Sequence, residues 1–367
     1  MNQQRLQRLK KEIMAQGLDG LALVPGPNML YLSGIHAHLS ERPIVLFLLA
    51  DAEPAIIIPN LEAEKAMRAG IPKRNIFHWN DVEGYTGAFQ LACSQLALPD
   101  LSIGVESLHM RVLELELLQR YAPGISIAHA EPLMSALRQV KDETELATMQ
   151  KAALVAETAM QNLLPRVHSG LTEKQIAAML VQELTEAGSE SVAFGPIVSA
   201  GPNGASPHAV PTDRPIQTGD LLVIDWGAIV DDYPSDITRT YAVGSIGPEL
   251  AQIYEIVKQA NAAARAVARP GATGHDLDRA ARAVIDEAGY GERFIHRTGH
   301  GLGLEVHEPP YIMEGNAQPL AVGEVFTIEP GIYLPGRAGV RIEDDIVITG
   351  DGHRSLTTLS RELVHLA

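Results

Sequence analysis

The first 130 residues alternate between helical and extended hydrophobic patterns. Leu6, Leu9 and Ile13 recur at helical spacing and predict an amphipathic helix over residues 2–17. Short apolar runs separated by polar turns predict buried strands, with one more helix among them. The strand-like runs are LALV (21–24), IVLFLL (44–49), PAIIIP (54–59), SIGVES (102–107) and ISIAHA (125–130), and the helix is RVLELELLQRY (111–121). These elements predict an α/β domain with a mixed sheet over residues 1–130.

A second domain is predicted for residues 142–367, after a linker at 131–141. Its first helix begins with a capping box formed by Asp142 and Glu145. Apolar positions at helical spacing continue that helix: Leu146, Met149, Ala153, Ala156 and Met160. The length of 367 residues also suits two domains better than one.

An internal repeat divides the second domain into two copies. The segment SGLTEKQIAAMLVQELTEAG (169–188) corresponds to PGATGHDLDRAARAVIDEAG (270–289), and GDLLVIDWG (219–227) corresponds to GEVFTIEPG (323–331). Each copy is predicted to consist of two helices followed by strands. We expect the copies to pack about an approximate two-fold axis.

Both copies end an apolar strand in a carboxylate, Asp225 in the first and Glu329 in the second. A second acid follows each of them, Asp236 after 11 residues and Glu343 after 14, at spacings that suit hairpins. Four buried carboxylates would repel one another and lose hydration unless positive charge offset them. No nearby set of lysines supplies that charge, so the pattern predicts two divalent cations. Oxygen-rich ligation with few imidazoles favours Mn²⁺, Co²⁺ or Zn²⁺.

Three histidines lie close to this pattern in the sequence. His300 and His307 fall in RTGHGLGLEVHEPP, and His208 lies in the loop GPNGASPHAVP before the Asp225 strand. The glycines around His300 exclude a helical zinc motif and suit a backbone that approaches another group closely. Taken singly, each histidine is more often an ordinary surface or hydrogen-bonded residue. Together with the carboxylates, His300 and His307 become candidate site residues.

The composition argues against two classes of partner. A net charge of −16 offers no basic face to a phosphate backbone, so nucleic acid is not expected as a partner. The longest uncharged apolar run, 43–50, is far shorter than the roughly 18 residues that span a bilayer, so no membrane partner is expected. Cys93 is the single cysteine, which fits a reducing compartment and predicts a cytoplasmic protein.

The segments IDWG, SDITRT, GHGLGLEVHEPP, TIEPGIY and VRIED together resemble the metal-dependent pita-bread peptidases, the family of prolidase, aminopeptidase P and methionine aminopeptidase. The resemblance covers roughly residues 140–367, and the first domain is similar to the creatinase-like N-terminal domain of the prolidase and aminopeptidase P branch. It implies an α/β (α+β) protein with a pita-bread catalytic domain and an internal pseudo-two-fold repeat. Members of this branch are usually dimers, which makes a homodimer the expectation here.

The resemblance also implies roles for individual residues. Two divalent ions, with Mn²⁺ as the first choice, would be held by five ligands: Asp225, Asp236, His300, Glu329 and Glu343. Glu329 would also move a proton, and Arg341 would belong to the hydrogen bonding of the site. His208 and His307 would steady the substrate and the tetrahedral intermediate.

The implied reaction is hydrolysis of the bond before proline at the N-terminus of proline-containing peptides, by a hydroxide that bridges the two metals. Some dipeptide-specific prolidases carry an arginine four residues after the second histidine, where this chain has Tyr311. That difference favours aminopeptidase P-like action on longer peptides, with Xaa-Pro dipeptides as further substrates. A strict Xaa-Pro dipeptidase is the alternative, and a metal-free creatinase-like hydrolase or a non-catalytic binding homologue is a more remote one. The N-terminal domain disfavours methionine aminopeptidase activity.

Overall fold

The computed structural model describes all of residues 1–367. The chain forms two compact units, Met1–Arg138 and Gln139–Ala367. None of its helices combines the length and the apolarity that crossing a membrane requires.

The first unit is built on one six-stranded mixed sheet, with strand order β4-β3-β2-β1-β5-β6. Its strands are β1 Gly20–Leu23, β2 Val45–Leu49, β3 Ala55–Pro59, β4 Ile76–Trp79, β5 Ser102–Val105 and β6 Ser126–His129. Its helices are α1 Gln3–Ala15, α2 Pro27–Ser33, α3 Ala63–Arg68, α4 Thr86–Gln95, α5 Val112–Tyr121 and α6 Glu131–Arg138. Strands β1, β2 and β3 pair antiparallel, whereas β1–β5, β5–β6 and β3–β4 are parallel. The mixed α/β sheet that the apolar runs predict is therefore present.

Local sequence explains where the first helix begins and which face it buries. The side chain of Asn2 accepts hydrogen bonds from the backbone N–H groups of Gln4 and Arg5, which caps α1. Leu9 and Ile13 are buried, as their spacing predicts. The predicted linker at 131–141 differs from the structure, because helix α6 occupies its first eight residues. The apolar side chains of that helix are buried within the first unit: Leu133, Met134 and Leu137.

The second unit contains four α-helices and thirteen short strands. The helices are α7 Glu143–Leu163, α8 Glu173–Glu186, α9 Pro248–Val267 and α10 Gly274–Glu287. The strands are β7 Ile197–Ala200, β8 Leu221–Trp226, β9 Ile229–Val230, β10 Tyr233–Pro234, β11 Ile237–Val243, β12 Gly299–Gly301, β13 Glu308–Ile312, β14 Val325–Ile328, β15 Gly331–Leu334, β16 Ala338–Arg341, β17 Asp344–Thr349, β18 Gly352–Ser355 and β19 His365–Leu366. They form a four-stranded sheet in the order β19-β11-β8-β7, a five-stranded sheet in the order β13-β12-β14-β17-β18, and two hairpins.

The internal repeat is visible in the order of these elements. Helices α7 and α8 precede the antiparallel pair β8–β11, and helices α9 and α10 precede the antiparallel pair β14–β17. Thr172 and Thr273 cap the second helix of each copy with a capping box. Each of these threonines also forms an isolated bridge to a proline, Pro215 in the first copy and Pro319 in the second. The two copies thus share details that the sequence match alone does not encode.

Candidate metal centre

The two repeated strand pairs carry the four predicted carboxylates at their ends. In the first copy, Asp225 lies near the end of β8, opposite Thr238, and Asp236 immediately precedes β11. In the second copy, Glu329 follows β14 and Glu343 immediately precedes β17. Because each acid sits where an apolar strand ends or begins, its backbone is fixed by the sheet.

The side chains of both copies meet in one cluster. Three overlapping groups have potential ligand atoms that all lie within 4.8 Å of one another: Asp225–Asp236–Glu343, His300–Glu329–Glu343 and Asp236–His300–His307. The five residues predicted as metal ligands are therefore brought together, with His307 beside them. Their role as ligands stays a prediction.

His300 presents a lone pair to two of the acids. Its Nδ1 lies 3.2 Å from the carbonyl oxygen of Gly301, which can only accept, so we assign the ring proton to Nδ1. Its Nε2 then faces Glu329 Oε1 at 3.4 Å and Asp236 Oδ2 at 3.6 Å. Burial, followed by the neighbouring His307, lowers the pKa of His300 well below its ordinary value, so no proton from the ring relieves this contact. A cation between these atoms would satisfy all three.

Burial is also the main reason why the acids are unfavourable as bare anions. It raises the pKa of Asp236 and Glu343 well above their ordinary values, and the neighbouring carboxylates add to the effect. Burial raises the pKa of Glu329 to about 8, against the opposing charge of Arg341. Asp225 Oδ1 is buried without a hydrogen-bond partner. Four carboxylates and one neutral imidazole are the donors that borderline divalent cations prefer, so the residues fit such ions.

Arg341 and Thr238 orient the acids from opposite copies. Arg341 Nη2 donates to Asp225 Oδ2 at 2.6 Å, and its Nε donates to Thr238 Oγ1 at 3.0 Å. The hydroxyl of Thr238 in turn donates to Glu343 Oε2 at 2.6 Å. Arg341 is thus hydrogen-bonded to a predicted metal ligand, and its part in the function of the site stays a prediction. Sequence reasoning assigned no role to Thr238, and the only available signal was its position in the hairpin opposite Asp225.

A directed hydrogen-bond chain continues from Arg341 through two aromatic side chains. Arg341 Nη1 donates to Tyr333 Oη at 3.0 Å, and Tyr333 Oη lies 2.9 Å from His296 Nε2. His296 Nδ1 lies 2.7 Å from the carbonyl oxygen of Arg297, so Nδ1 donates and Nε2 accepts from the tyrosine. Burial lowers the pKa of His296 to about 4, which keeps the ring neutral in this arrangement. The chain holds the segment before His300 in place.

Glycines let the strand of His300 fit between its neighbours. A Cβ at Gly299 would lie 1.9 Å from the carbonyl oxygen of Thr327, and one at Gly301 would lie 2.3 Å from that of Pro309. Strand β12 pairs with both β13 and β14, so no side chain can be accommodated at either position. The close backbone approach predicted from the glycine spacing is confirmed.

The cluster opens into a cavity of about 760 Å³. Its polar lining includes the five predicted ligands together with His208, His296, Arg297, His307 and Arg341, and its apolar lining includes Phe194, Ile197, Val306 and Met313. The rings of His300 and His307 lie 4.0 Å apart, measured between centroids. Burial lowers the pKa of His307, with Arg297 as the next contribution. The cavity is therefore wide enough for a small peptide and has imidazoles beside the acids.

Two repeated halves that gather buried acids and a neutral histidine at one cavity define a pita-bread metallopeptidase architecture. The chain belongs to metallopeptidase family M24, whose family model matches residues 147–350, while the creatinase/prolidase N-terminal domain model matches residues 5–140. The fold class and the family inferred from the sequence motifs are both confirmed. Family membership implies divalent metal ions.

Several of the proteins that this chain is similar to are named for cleavage next to proline. An Xaa-Pro dipeptidase from Lactobacillus delbrueckii subsp. lactis is 35% identical, with 98% of each chain covered. The solved prolidase from Thermococcus sibiricus is 35% identical with a TM-score of 0.95, and 100% of each chain is covered. The solved X-Pro aminopeptidase from Thermotoga maritima MSB8 is 31% identical with a TM-score of 0.85, covering 98% of this chain and 99% of the other. The chain is thus a peptidase with the same fold and domain organisation as a solved prolidase and a solved aminopeptidase.

Proposed function

We propose that this protein hydrolyses the peptide bond before proline in short peptides, using two divalent ions, with Mn²⁺ as the first choice. Asp225, Asp236, His300, Glu329 and Glu343 would hold the ions. The observation that carries this proposal is the lone pair of His300 Nε2, 3.4 Å and 3.6 Å from two carboxylate oxygens inside a cavity of peptide size. The relatives named for Xaa-Pro cleavage support the choice of bond.

When bound, the ions would activate a water molecule and polarise the carbonyl group that is attacked. The protein's own groups supply the remaining steps. Glu329 takes a proton from the attacking water and passes it to the proline nitrogen as the bond breaks. His208 and His307, both in the cavity lining, stabilise the oxygen on which negative charge develops. Arg341 and Thr238 keep Asp225 and Glu343 in their orientations throughout.

Substrate length separates two candidate functions. The uncharged side chain of Tyr311 favours aminopeptidase P-like action on longer peptides, whereas the relatives named Xaa-Pro dipeptidase and prolidase favour dipeptides. Both share the same metal centre and the same scissile bond. A metal-free reaction is the third alternative, and metal removal distinguishes it.

The test is hydrolysis of Ala-Pro, Ala-Pro-Ala and Ala-Ala by the full chain after chelation, with and without added Mn²⁺. We expect cleavage only of the proline peptides and only with the metal, with two ions bound per chain by calorimetric titration. Asp236→Asn should lose both the activity and part of the metal binding, since it removes one anionic ligand. Full activity after chelation would refute the metal requirement, and equal cleavage of Ala-Ala would refute the preference for proline.

A further inference from the structure

The proposed reaction assigns no role to Arg297, although this residue lines the cavity. It lies three residues before His300 and lines the cavity, half-buried. Its guanidinium stacks on the ring of Tyr311, 4.4 Å from the centroid. The contact follows from strand pairing, because Thr298 N–H donates to the carbonyl oxygen of Ile312 and sets residue 297 beside the strand that carries Tyr311.

Arg297 forms no ion pair with an acid of the protein. Its guanidinium makes no side-chain hydrogen bond within the chain, and it stacks on the ring of Tyr311. The other cavity arginine, Arg341, is by contrast engaged by Asp225, Tyr333 and the carbonyl oxygen of Pro207. A ligand that covers the guanidinium N–H groups displaces their water. If the ligand accepts no hydrogen bond from them in return, its binding is weakened. A ligand that fills this cavity therefore gains by bringing an anion.

The position of this cation relates it to the scissile bond. Arg297 lines the same cavity as Glu329, His300 and His307, the residues proposed to act on the bond or to hold the metals beside it. In an Xaa-Pro dipeptide the carboxylate is attached to the proline Cα, and its carbon lies only about 2.5 Å from the nitrogen of the bond that breaks. In a longer peptide the same carbon belongs to a neutral amide. An anion next to the reacting atoms is thus a property of dipeptides alone.

We propose that Arg297 binds the C-terminal carboxylate of an Xaa-Pro dipeptide and that it makes a free proline carboxylate the preferred feature of the substrate. The inference rests on the proposed function. Tyr311 contributes by holding the planar guanidinium against its ring, which leaves the N–H fork free for a bidentate carboxylate contact. Tyr311 therefore supports a cation supplied by the segment that precedes β12. Under this proposal dipeptides are preferred, which is the opposite of the preference for longer peptides predicted from Tyr311 in the sequence.

The experiment compares Ala-Pro with Ala-Pro amide, which differ only in the terminal charge, in the Mn²⁺-loaded protein and its variants. We expect the unmodified chain to prefer Ala-Pro. Arg297→Met should lower kcat/KM for Ala-Pro by about 100-fold and that for the amide by less than about threefold, because only the acid loses a charge pair. The loss should fall mainly on KM, since the pair forms in the ground state as well as in the transition state. Arg297→Lys should restore part of it, as a point charge without the fork.

Arg279→Met is the matched control, because Arg279 lies outside the cavity lining and makes only a 3.9 Å contact with Glu314. It should leave both substrates unaffected, and Mn²⁺ binding should be unchanged in all variants. An equal loss on acid and amide in Arg297→Met would overturn the proposal, as would an unmodified chain that cleaves Ala-Pro amide as well as Ala-Pro. The second comparison needs no variant. Absence of any Xaa-Pro cleavage by the Mn²⁺-loaded chain would instead reject the proposed function itself.

Discussion

The hydroxyl of Thr238 connects two charged groups that come from the second copy of the repeat. It accepts from Arg341 Nε at 3.0 Å and donates to Glu343 Oε2 at 2.6 Å, and the residue is fully buried. Thr238→Val replaces the hydroxyl by a methyl group of similar size. The change removes both hydrogen bonds while it keeps the β-branched packing of strand β11.

The expected magnitude follows from these two contacts. A hydrogen bond to a charged group contributes about 1.5–3 kcal/mol, and the contact with Glu343 acts directly on a predicted metal ligand. If one such contribution is lost from the metal-bound form, Mn²⁺ affinity should fall by about 10- to 150-fold. Losses of this size are typical when the groups that orient metal ligands are removed.

The assay is calorimetric Mn²⁺ titration of the chelated protein, together with Ala-Pro hydrolysis at saturating metal. Thr357→Val is the matched control, because Thr357 is equally buried and donates to Asp344, a carboxylate that does not line the cavity. The control should lower the unfolding temperature without changing Mn²⁺ affinity. If Thr238→Val and Thr357→Val had the same affinity, Thr238 would have no part in orienting the metal ligands.

Two further predictions concern the framework of the site. Gly299→Ala should lower the unfolding temperature and Mn²⁺ affinity together, because its Cβ would lie 1.9 Å from the carbonyl oxygen of Thr327, whereas Gly350→Ala, which meets open space, should change neither. Burial would raise the pKa of Asp344, but Arg239 and Arg361 outweigh it and lower the pKa to about 2. Since this is below the ordinary value of 3.8, the carboxylate stabilises the fold fully above that pH and loses its contribution as the pH falls towards 2. Asp344→Asn should therefore unfold at a lower temperature than the unmodified chain at pH 7, and the difference should shrink below pH 3 in thermal denaturation followed by circular dichroism.

Elements with one strong hydrophobic pattern could be predicted from the sequence. The runs at 44–49 and 54–59 contain strands β2 and β3, in which every residue is buried, and this burial explains why their sequences are continuously apolar. Helix α6 fell inside the predicted linker because its eight residues give only two turns of periodicity. Short helices are formed by tertiary packing more than by their own propensity, so their sequences carry little signal.

The same distinction applies to the site. Features that occur in both copies of the repeat could be predicted, whereas features that depend on the register between strands could not. The four carboxylates could be predicted because acids at the ends of apolar strands are rare and occurred twice at matching positions. Arg297 was not singled out, since its importance depends on which residue of β13 lies beside it. The register of the β12–β13 pair shifts between His300 and Gly301, and no local sequence pattern predicts such a shift.

The contacts between the two copies explain why the acids gather only in the folded pair. Arg341 of the second copy binds Asp225 of the first, and the hydroxyl of Thr238 in the first copy binds Glu343 of the second. The backbone follows the same pattern, because the N–H of Glu343 donates to the carbonyl oxygen of Thr238 at 3.1 Å. Each half therefore supplies the partners that orient the acids of the other half. A single copy would carry two carboxylates without these partners. The ligand set is therefore assembled only when the two halves pack together.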